Sequence, residues 1–335
     1  MTTPSQKPRA VLIHSPNWLG DVVMALPAFH LWRTSNENRR VLILAKKSVA
    51  GLWRYVRGVD GVITLLPGKD GAEQAIREIR EAHCDEAILF PLSFRSAWLV
   101  WRGGVPVRRG VPGQFRTWML TDKVDISDLS KAHQAREYMR IAGFEGNGEI
   151  PSPSLALDAS LLPEPPDVGV NPSDTLIVLP GAARGDSKRW PASYFAEAVK
   201  SLLSMHPGWR VLVCGTPGEA GACAEVTTLL GHVAVNLAGK TKLFELASLI
   251  ARSRGVCCND SGGMHLATAL GVPVVAIFGI TDPSKTGPLG RSRVVAAKGV
   301  KVSRAIPRES PEATRALASI MPEQVAAALE ELLAP

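Results

Sequence analysis

Short apolar runs alternate with amphipathic segments along the first part of the chain. Runs with the length and unbroken hydrophobicity of strands buried on both faces lie at residues 10–14, 41–45, 61–66 and 86–90. Apolar residues at helical spacing predict helices after residue 21, with Pro27 as a candidate kink, and at 47–57, 72–82 and 131–143. Strands that alternate with helices in this way predict a parallel sheet that is covered by helices on both faces.

The second part of the chain repeats the alternation. Strands are predicted at 175–179, 210–215, 233–237, 255–259, 272–278 and 293–296, and helices after Pro191 and at 218–230, 242–252, 311–320 and 322–333. Between the two parts, residues 145–173 contain three glycines and six prolines and read as a linker. The sequence therefore predicts domains at 1–160 and 174–320, followed by a C-terminal helix at 321–335.

A glycine-rich turn interrupts the pattern at Asn259-Asp-Ser-Gly-Gly-Met-His265, between a predicted strand and a predicted helix. The backbone N–H groups at such a helix N-terminus suit an anion, typically a phosphate. The alternative is that Asp260 or Ser261 only caps the helix and the glycines only turn the chain. Asp, Ser, two Gly and a His within six residues favour a ligand site, because a plain cap does not need them all.

Two further loops follow strands and precede helices. Residues 180–190 contain Gly181, Gly185 and Lys188 and predict a second anion site, without the spacing of a Walker A loop. Solvation at the surface is the alternative for Lys188. Residues 15–21 end in Gly20-Asp21 at the start of the first helix. From spacing alone, helix N-cap is the favoured role for Asp21.

Composition narrows the classes of partner. The net charge of +7 implies nucleic acid, anionic lipid or a phosphorylated substrate, but no nucleic-acid-binding signature is present and only 6% of residues are aromatic. Nucleic acid is therefore not expected as a partner. We expect a cytoplasmic protein, because there is no secretory signal pattern, no apolar run of membrane-spanning length and no CxxC pair among five cysteines.

The segment 91–123 is unusually basic. It contains Arg95, Arg102, Arg108, Arg109, Arg116 and Lys123 against a single acid, Asp122. Such a run is often a solvated face, but this excess of cations also suits a phosphorylated or carboxylated substrate.

Four motifs in order resemble glycosyltransferase family 9, the lipopolysaccharide heptosyltransferases, and within it the heptosyltransferase II subgroup. They are Ser15-Pro-Asn-Trp-Leu-Gly-Asp21, the region from Pro91 to Arg116, Pro180-Gly-Ala with Lys188-Arg-Trp-Pro191, and Asn259–His265. The similarity runs from about residue 11 to residue 289. It implies an α/β GT-B fold, in which two Rossmann-like α/β/α domains face a central cleft and the second holds the nucleotide-sugar.

The same resemblance implies the roles of individual residues. It places the catalytic Asp on Asp21 and the phosphate-contacting Lys on Lys188. It places donor binding on Asp260, Ser261, Gly262, Gly263 and His265, and further substrate contacts on Asn17, Gly20, Arg95, Arg109 and Arg116. Two departures stand out: Gly263 occupies a position where Leu is common, and the tail after Arg291 lacks the cysteine cluster often seen in the subgroup.

The implied activity is a metal-independent, inverting transfer of heptose from ADP-heptose to a lipid A–Kdo/heptose acceptor, by a protein in peripheral contact with the inner membrane. No two aspartates stand two positions apart, so the metal-binding DxD of other transferases is absent from the sequence. No metal and no cofactor besides the donor are expected. The alternatives are a family 9 transferase with another acceptor or nucleotide-sugar, and a non-catalytic nucleotide-sugar-binding protein.

Overall fold

A computed structural model describes residues 10–146, 148–182, 185–300, 302, 307 and 309–334. The predicted domain ends at residues 1–9 and 335, and two residues of the predicted anion loop at 180–190, lie outside this range. The chain divides into two compact units, Met1–Asp158 and Ala159–Pro335. The division falls within the segment 145–173, which the sequence identifies as a linker.

In its described part, the first unit is built on a parallel sheet of six strands. The strands are β1 (Ala10–His14), β2 (Arg40–Lys46), β3 (Gly61–Leu65), β4 (Cys84–Leu89), β5 (Val107–Gly110) and β6 (Asp122–Lys123). The helices are α1 (Leu19–Ser35), α2 (Lys47–Trp53), α3 (Gly68–Ala82), α4 (Phe94–Arg102) and α5 (Gln134–Ile141). The strand order is β3-β2-β1-β4-β5-β6, and every residue of β1 is buried, as its apolar sequence requires.

The second unit repeats this plan within its described residues. Its strands are β7 (Thr175–Leu179), β8 (Arg210–Val213), β9 (Ala234–Asn236), β10 (Gly255–Asn259), β11 (Val274–Phe278) and β12 (Ser292–Ala296). Its helices are α6 (Ala192–Met205), α7 (Ala220–Leu230), α8 (Leu243–Arg252), α9 (Gly262–Ala269), α10 (Pro283–Thr286), α11 (Pro311–Ala318) and α12 (Pro322–Leu333). The strand order is β12-β11-β10-β7-β8-β9, again parallel throughout.

Each sheet has one point where the direction of strand addition reverses. In the first unit it lies between β1 and β4, and in the second between β7 and β10. Connections from neighbouring strands leave towards opposite faces at such a point, which opens a crevice at the carboxyl ends of the strands. The loops 15–21 and 90–93 begin at the first crevice, and the loops 180–190 and 260–261 begin at the second. The fold thus places three of the four sequence motifs, and the first residues of the region 91–116, at these two edges.

The predicted alternation of strands and helices is confirmed, with two kinds of difference. The helix predicted at 47–57 ends at Trp53, and the one predicted at 72–82 already begins at Gly68. The basic segment 91–123, for which no regular structure was predicted, contains α4, β5 and β6. Pro27 lies inside α1, which continues through it to Ser35. Among the described residues, no helix is both long enough and apolar enough to cross a membrane.

Candidate functional site

A cavity of about 230 Å³ lies at the crevice of the first unit. Asn17, Trp18 and Asp21 line it from the loop after β1 and from the start of α1. The loop after β4 contributes residues 90–93, and α5 contributes Gln134 and Tyr138. The cavity therefore joins three parts of the sequence that are far apart along the chain. Its described lining includes Asn17 but not Gly20, which lies next to Asp21 in the first turn of α1.

Asp21 is not the N-cap of α1, which corrects the role that its spacing favoured. Trp18 occupies the N-cap position, and its side chain makes no capping hydrogen bond. Asp21 is the third residue of the helix, where a carboxylate is stabilised by the positive end of the helix dipole. Its side chain is therefore available to the cavity that it lines.

Two polar side chains of α5 hold the Asp21 carboxylate. Gln134 Nε2 lies 2.9 Å from Asp21 Oδ1, to which it donates, and 2.9 Å from the hydroxyl oxygen of Tyr138. The Tyr138 hydroxyl also hydrogen-bonds to Asp21. Burial, together with the negative charge of Asp21, raises the pKa of Tyr138 well above its usual range. Tyr138 is therefore a hydrogen-bond donor, not an anion, at neutral pH.

Sequence reasoning did not identify Gln134 or Tyr138. A weak signal existed, because the two residues are four positions apart in a predicted helix and so share one face. The sequence does not reveal that this face meets Asp21, which is 113 residues away from Gln134.

The arginines predicted to bind substrate are dispersed, and one of them is internal. The Arg116 side chain is fully buried and donates to the carbonyl oxygens of Pro91 and Val111, each at 2.6 Å. Burial lowers its pKa to about 10. This placement corrects the prediction that Arg116 contacts substrate directly, because its buried guanidinium donates its hydrogen bonds to main-chain carbonyl oxygens.

Arg109 and Arg95 differ from Arg116 and from each other. Arg109 is partly buried, pairs with Asp122 and donates to the carbonyl oxygen of Ile141. Arg95 is exposed at the start of α4 and donates to the carbonyl oxygen of Gly68 at 3.3 Å. The excess of cations in segment 91–123 is therefore compensated in part by main-chain carbonyls, a type of partner that a count of charges does not reveal.

In the second unit, the structure joins the two loops that were predicted to bind anions. Lys188 Nζ forms an ion pair with Asp260 Oδ2, and both side chains are largely buried. Beside this pair, the Asn259 side chain accepts from the backbone N–H of Trp190 at 3.0 Å and donates to the carbonyl oxygen of Pro180 at 2.7 Å. Lys188 therefore does not lie on a solvated surface.

The N-terminus of α9 is formed by the residues that were predicted to bind an anion. Ser261 is its N-cap without a side-chain capping bond, and Gly262 and Gly263 form the start of its first turn. The N–H groups of a first helical turn have no partner within the helix. His265 is buried in the next turn. The structure thus brings Lys188, Asp260, Ser261, Gly262 and Gly263 to one edge of the sheet.

The departure at Gly263 has a steric explanation. A Cβ atom at this position would lie 2.2 Å from Cδ1 of Leu179, the last residue of β7. Leu179 is itself buried. The space that a side chain at position 263 would need is therefore filled by Leu179.

Glu219 is a further residue at this edge that sequence reasoning missed. Its carboxylate accepts from the backbone N–H and the hydroxyl of Thr216, at 2.7 and 2.8 Å, just after β8. A Cβ atom at Gly181 would lie 2.3 Å from Cδ of Glu219, so glycine lets this carboxylate approach the loop after β7.

Within the part of the chain that the structure describes, no group of three or more His, Cys, Asp and Glu residues could hold a metal ion.

Comparisons with known proteins agree with this architecture. The lipopolysaccharide heptosyltransferase 2 of Salmonella typhimurium is 28% identical over 313 residues, which cover 85% of this chain and 87% of that protein. The lipooligosaccharide heptosyltransferase 2 of Haemophilus influenzae is 28% identical over an alignment of 358 positions, which covers 97% of this chain and 99% of that protein.

Solved structures give the same result. The E. coli ADP-heptose lps heptosyltransferase II is 25% identical and has a TM-score of 0.76, with 97% of this chain and 98% of that chain covered. The E. coli heptosyltransferase WaaC with ADP, at 18% identity and a TM-score of 0.74, shares the fold over 96% of this chain and 99% of that chain. The predicted GT-B fold class and the resemblance to heptosyltransferase II are thereby confirmed. The profile of Glycosyltransferase family 9 (heptosyltransferase) matches residues 73–313, and the chain belongs to that family.

Proposed function

We propose that this enzyme transfers heptose from ADP-L-glycero-D-manno-heptose to the inner core of lipopolysaccharide. Membership of the heptosyltransferase family and the names of its full-length relatives support this donor and this acceptor class. The observation that carries the proposed mechanism is the Asp21 carboxylate, which lines a cavity and is held there by Gln134 and Tyr138.

Asp21 acts as the general base. It accepts the proton of the attacking acceptor hydroxyl while the hydroxyl oxygen bonds to the anomeric carbon of the heptose. The bond from that carbon to the phosphate oxygen breaks at the opposite face, its electron pair leaves with ADP, and the anomeric configuration inverts. Gln134 and Tyr138 act as positioning residues, because both hydrogen-bond to the carboxylate and so fix its orientation.

The second unit binds the donor in this proposal. The diphosphate lies at the N-terminus of α9, where the N–H groups of Ser261, Gly262 and Gly263 suit an anion. Lys188 exchanges part of its pairing with Asp260 for the charge that develops on the departing ADP. Asp260 and His265 complete the donor loop. This phosphate clamp consists of protein groups alone and assigns no role to a metal.

Glu219 extends the donor site. In doubly wound sheets, an acidic residue after the second strand hydrogen-bonds the ribose hydroxyls of a bound nucleotide. Glu219 follows β8, the strand that comes next after β7, and lies against Gly181 in the phosphate-site loop. We assign it to the ribose of the donor.

The first unit binds the acceptor. Asn17 lines the Asp21 cavity, Gly20 adds no side chain beside Asp21 in the first turn of α1, and Arg95 offers an exposed cation to Kdo carboxylates or core phosphates. The Arg109 guanidinium already pairs with Asp122, so we assign it a smaller contribution to acceptor binding.

Because this acceptor is anchored in lipid, we place the enzyme at the cytoplasmic face of the inner membrane, in peripheral contact with it.

Product analysis tests the proposal. The protein is incubated with ADP-heptose, or with other nucleotide-sugars in parallel, and with heptose-deficient core acceptors that end either in Kdo or in a first heptose. We expect a product heavier by one heptose with ADP-heptose alone. Transfer of a different sugar would replace the donor assignment, and tight nucleotide-sugar binding without any transfer would favour a binding protein.

A further inference from the structure

Large apolar side chains are exposed on one part of the first unit. Phe115 is 91% exposed and Trp118 is 62% exposed. Leu92, Phe94 and Trp101 are exposed to a lesser extent. We call these five residues the aromatic patch. Burying apolar surface of this size in a partner is favourable, and such clusters mark interaction sites.

Contacts beneath the surface hold the aromatic patch together. The buried Arg116 guanidinium donates to the carbonyl oxygens of Pro91 and Val111 and so joins the segment before α4 to the turn that carries Phe115. The rings of Trp101 and Trp118 meet edge to face with centroids 5.1 Å apart. Two separate stretches of sequence therefore present one surface.

The backbone presents Phe115 to solvent at some cost. Gln114 and Phe115 adopt φ angles of +47° and +58°. These values lie in the left-handed region, which residues other than Gly, Asn and Asp seldom occupy. The exposed ring recovers little of this cost by packing within its own unit. Such an arrangement is expected where the side chain is buried by a partner.

Charge identifies the partner. Residues 87–121 contain no Asp or Glu. Arg95 and Arg102 are accessible at the two ends of α4, where the Arg102 guanidinium lies 5.4 Å above the Trp98 ring and 4.0 Å from Glu73. Tryptophan rings settle at the headgroup level of a bilayer, and nearby arginines are attracted to anionic lipids. This combination fits an anionic membrane surface.

The aromatic patch also continues into the Asp21 cavity. Leu92 belongs to the patch and also lines the cavity. Trp18, outside the patch, lines the same cavity and is 69% exposed. We propose that the aromatic patch docks this enzyme on an anionic bilayer surface, so that the sugar of a lipid-anchored acceptor enters the cavity from the membrane side. The identity of the acceptor rests on the proposed function, whereas the docking on lipid is independent of that function.

Vesicle sedimentation tests the docking. Full-length protein is mixed with vesicles of phosphatidylcholine alone, or of equal parts phosphatidylcholine and phosphatidylglycerol. We expect binding to the anionic vesicles, weakened roughly tenfold for each ring removed in the variants Phe115→Asn and Trp118→Gln. Asn tolerates the left-handed backbone at position 115, so the fold is retained. Arg102→Gln weakens binding roughly fivefold.

Matched controls separate docking from folding and from catalysis. Leu161→Ser and Met205→Ser, which alter exposed apolar residues of the second unit, are expected to leave vesicle binding unchanged. The double variant Phe115→Asn, Trp118→Gln is expected to keep the wild-type turnover on a short, water-soluble core acceptor. Docking is refuted if wild-type protein does not sediment with anionic vesicles, or if the double variant binds them as tightly. Vesicle binding without heptose transfer would refute the proposed function and leave docking intact.

Discussion

The side-chain amide of Gln134 donates to the carboxylate of Asp21 over 2.9 Å and thereby links the start of α1 to α5. Tyr138, one helical turn further along α5, hydrogen-bonds to the same carboxylate. A carboxylate with two donors is held in one orientation, and its ionised form is favoured. Both properties suit a general base, so the contribution of the two donors can be measured through the pH dependence of turnover.

Tyr138→Phe is expected to lower kcat and to move the acid limb of the pH profile upwards by roughly one unit, because one donor to Asp21 is lost. Hydrogen bonds to the ionised form lower the pKa of a carboxyl group, so removing one raises the pKa of Asp21. Turnover is then lost at a higher pH than in the wild type. Tyr55→Phe, outside the cavity, is the control. An unchanged acid limb in Tyr138→Phe would show that Tyr138 has only a packing role.

Lys188→Met is expected to raise the activation free energy by roughly 2–4 kcal/mol and so to lower kcat, with a smaller loss of donor affinity. The reason is that the charge on the leaving diphosphate grows as the bond to heptose breaks. Calorimetry with ADP and steady-state kinetics measure the two effects, and Lys200→Met, at an exposed position of α6, is the control. If donor affinity falls more than turnover, Lys188 anchors the donor in the ground state instead.

Arg116→Met is expected to lower the free energy of unfolding by at least about 2 kcal/mol, because the carbonyl oxygens of Pro91 and Val111 lose a buried donor. Arg95→Met, at an exposed position, is expected to leave stability unchanged. Chemical denaturation measures both. A stable Arg116→Met protein with a raised acceptor KM would instead restore the direct substrate contact that the sequence suggested.

His14 is expected to make the protein sensitive to acid. The residue is buried at the end of β1, and burial lowers its pKa from 6.5 to about 3. Because the folded-state pKa lies below the unfolded one, the contribution of His14 to stability is complete above pH 6.5 and is lost as the pH falls towards 3.

Between pH 6.5 and pH 5 this loss amounts to about 2 kcal/mol. His14→Gln is expected to remove it, so that the unfolding free energy of the variant falls less steeply with pH than that of the wild type. Denaturation curves at the two pH values give the comparison. His232→Gln, at an exposed position, is expected to keep the wild-type slope, and an equal slope in His14→Gln would contradict the assignment.

The strands that are buried on both faces could be predicted closely, because they require continuous apolar runs, as in β1 and β7. The short strands β5 and β6 lack such runs and were missed. The helix α4 was missed because its arginines obscured an apolar inner face formed by Ala97, Leu99 and Val100. The role of Arg116 was missed for a related reason. Its partners are main-chain carbonyls, which every sequence contains and no residue type signals.

The candidate site could be predicted where local spacing carries the chemistry. The turn at Ser261–Gly263 and the helix behind it were predicted correctly, because glycines and an N-cap residue are adjacent in sequence. The ion pair between Lys188 and Asp260 and the contact between Gln134 and Asp21 could not be predicted from spacing. They depend on which loops the strand order brings together, and a single sequence does not contain that information.

The central claim is that Asp21 acts as the base, and replacing it with Asn tests this claim most directly. Asn is nearly the same size and can accept from Gln134 and Tyr138 through its carbonyl oxygen, but it cannot take up the proton of the acceptor. The melting temperature, the affinity for ADP and kcat are measured on Asp21→Asn beside the wild type. We predict a folded protein with normal ADP affinity and a kcat lower by roughly 10²–10⁴. Near-normal turnover of Asp21→Asn would contradict the account.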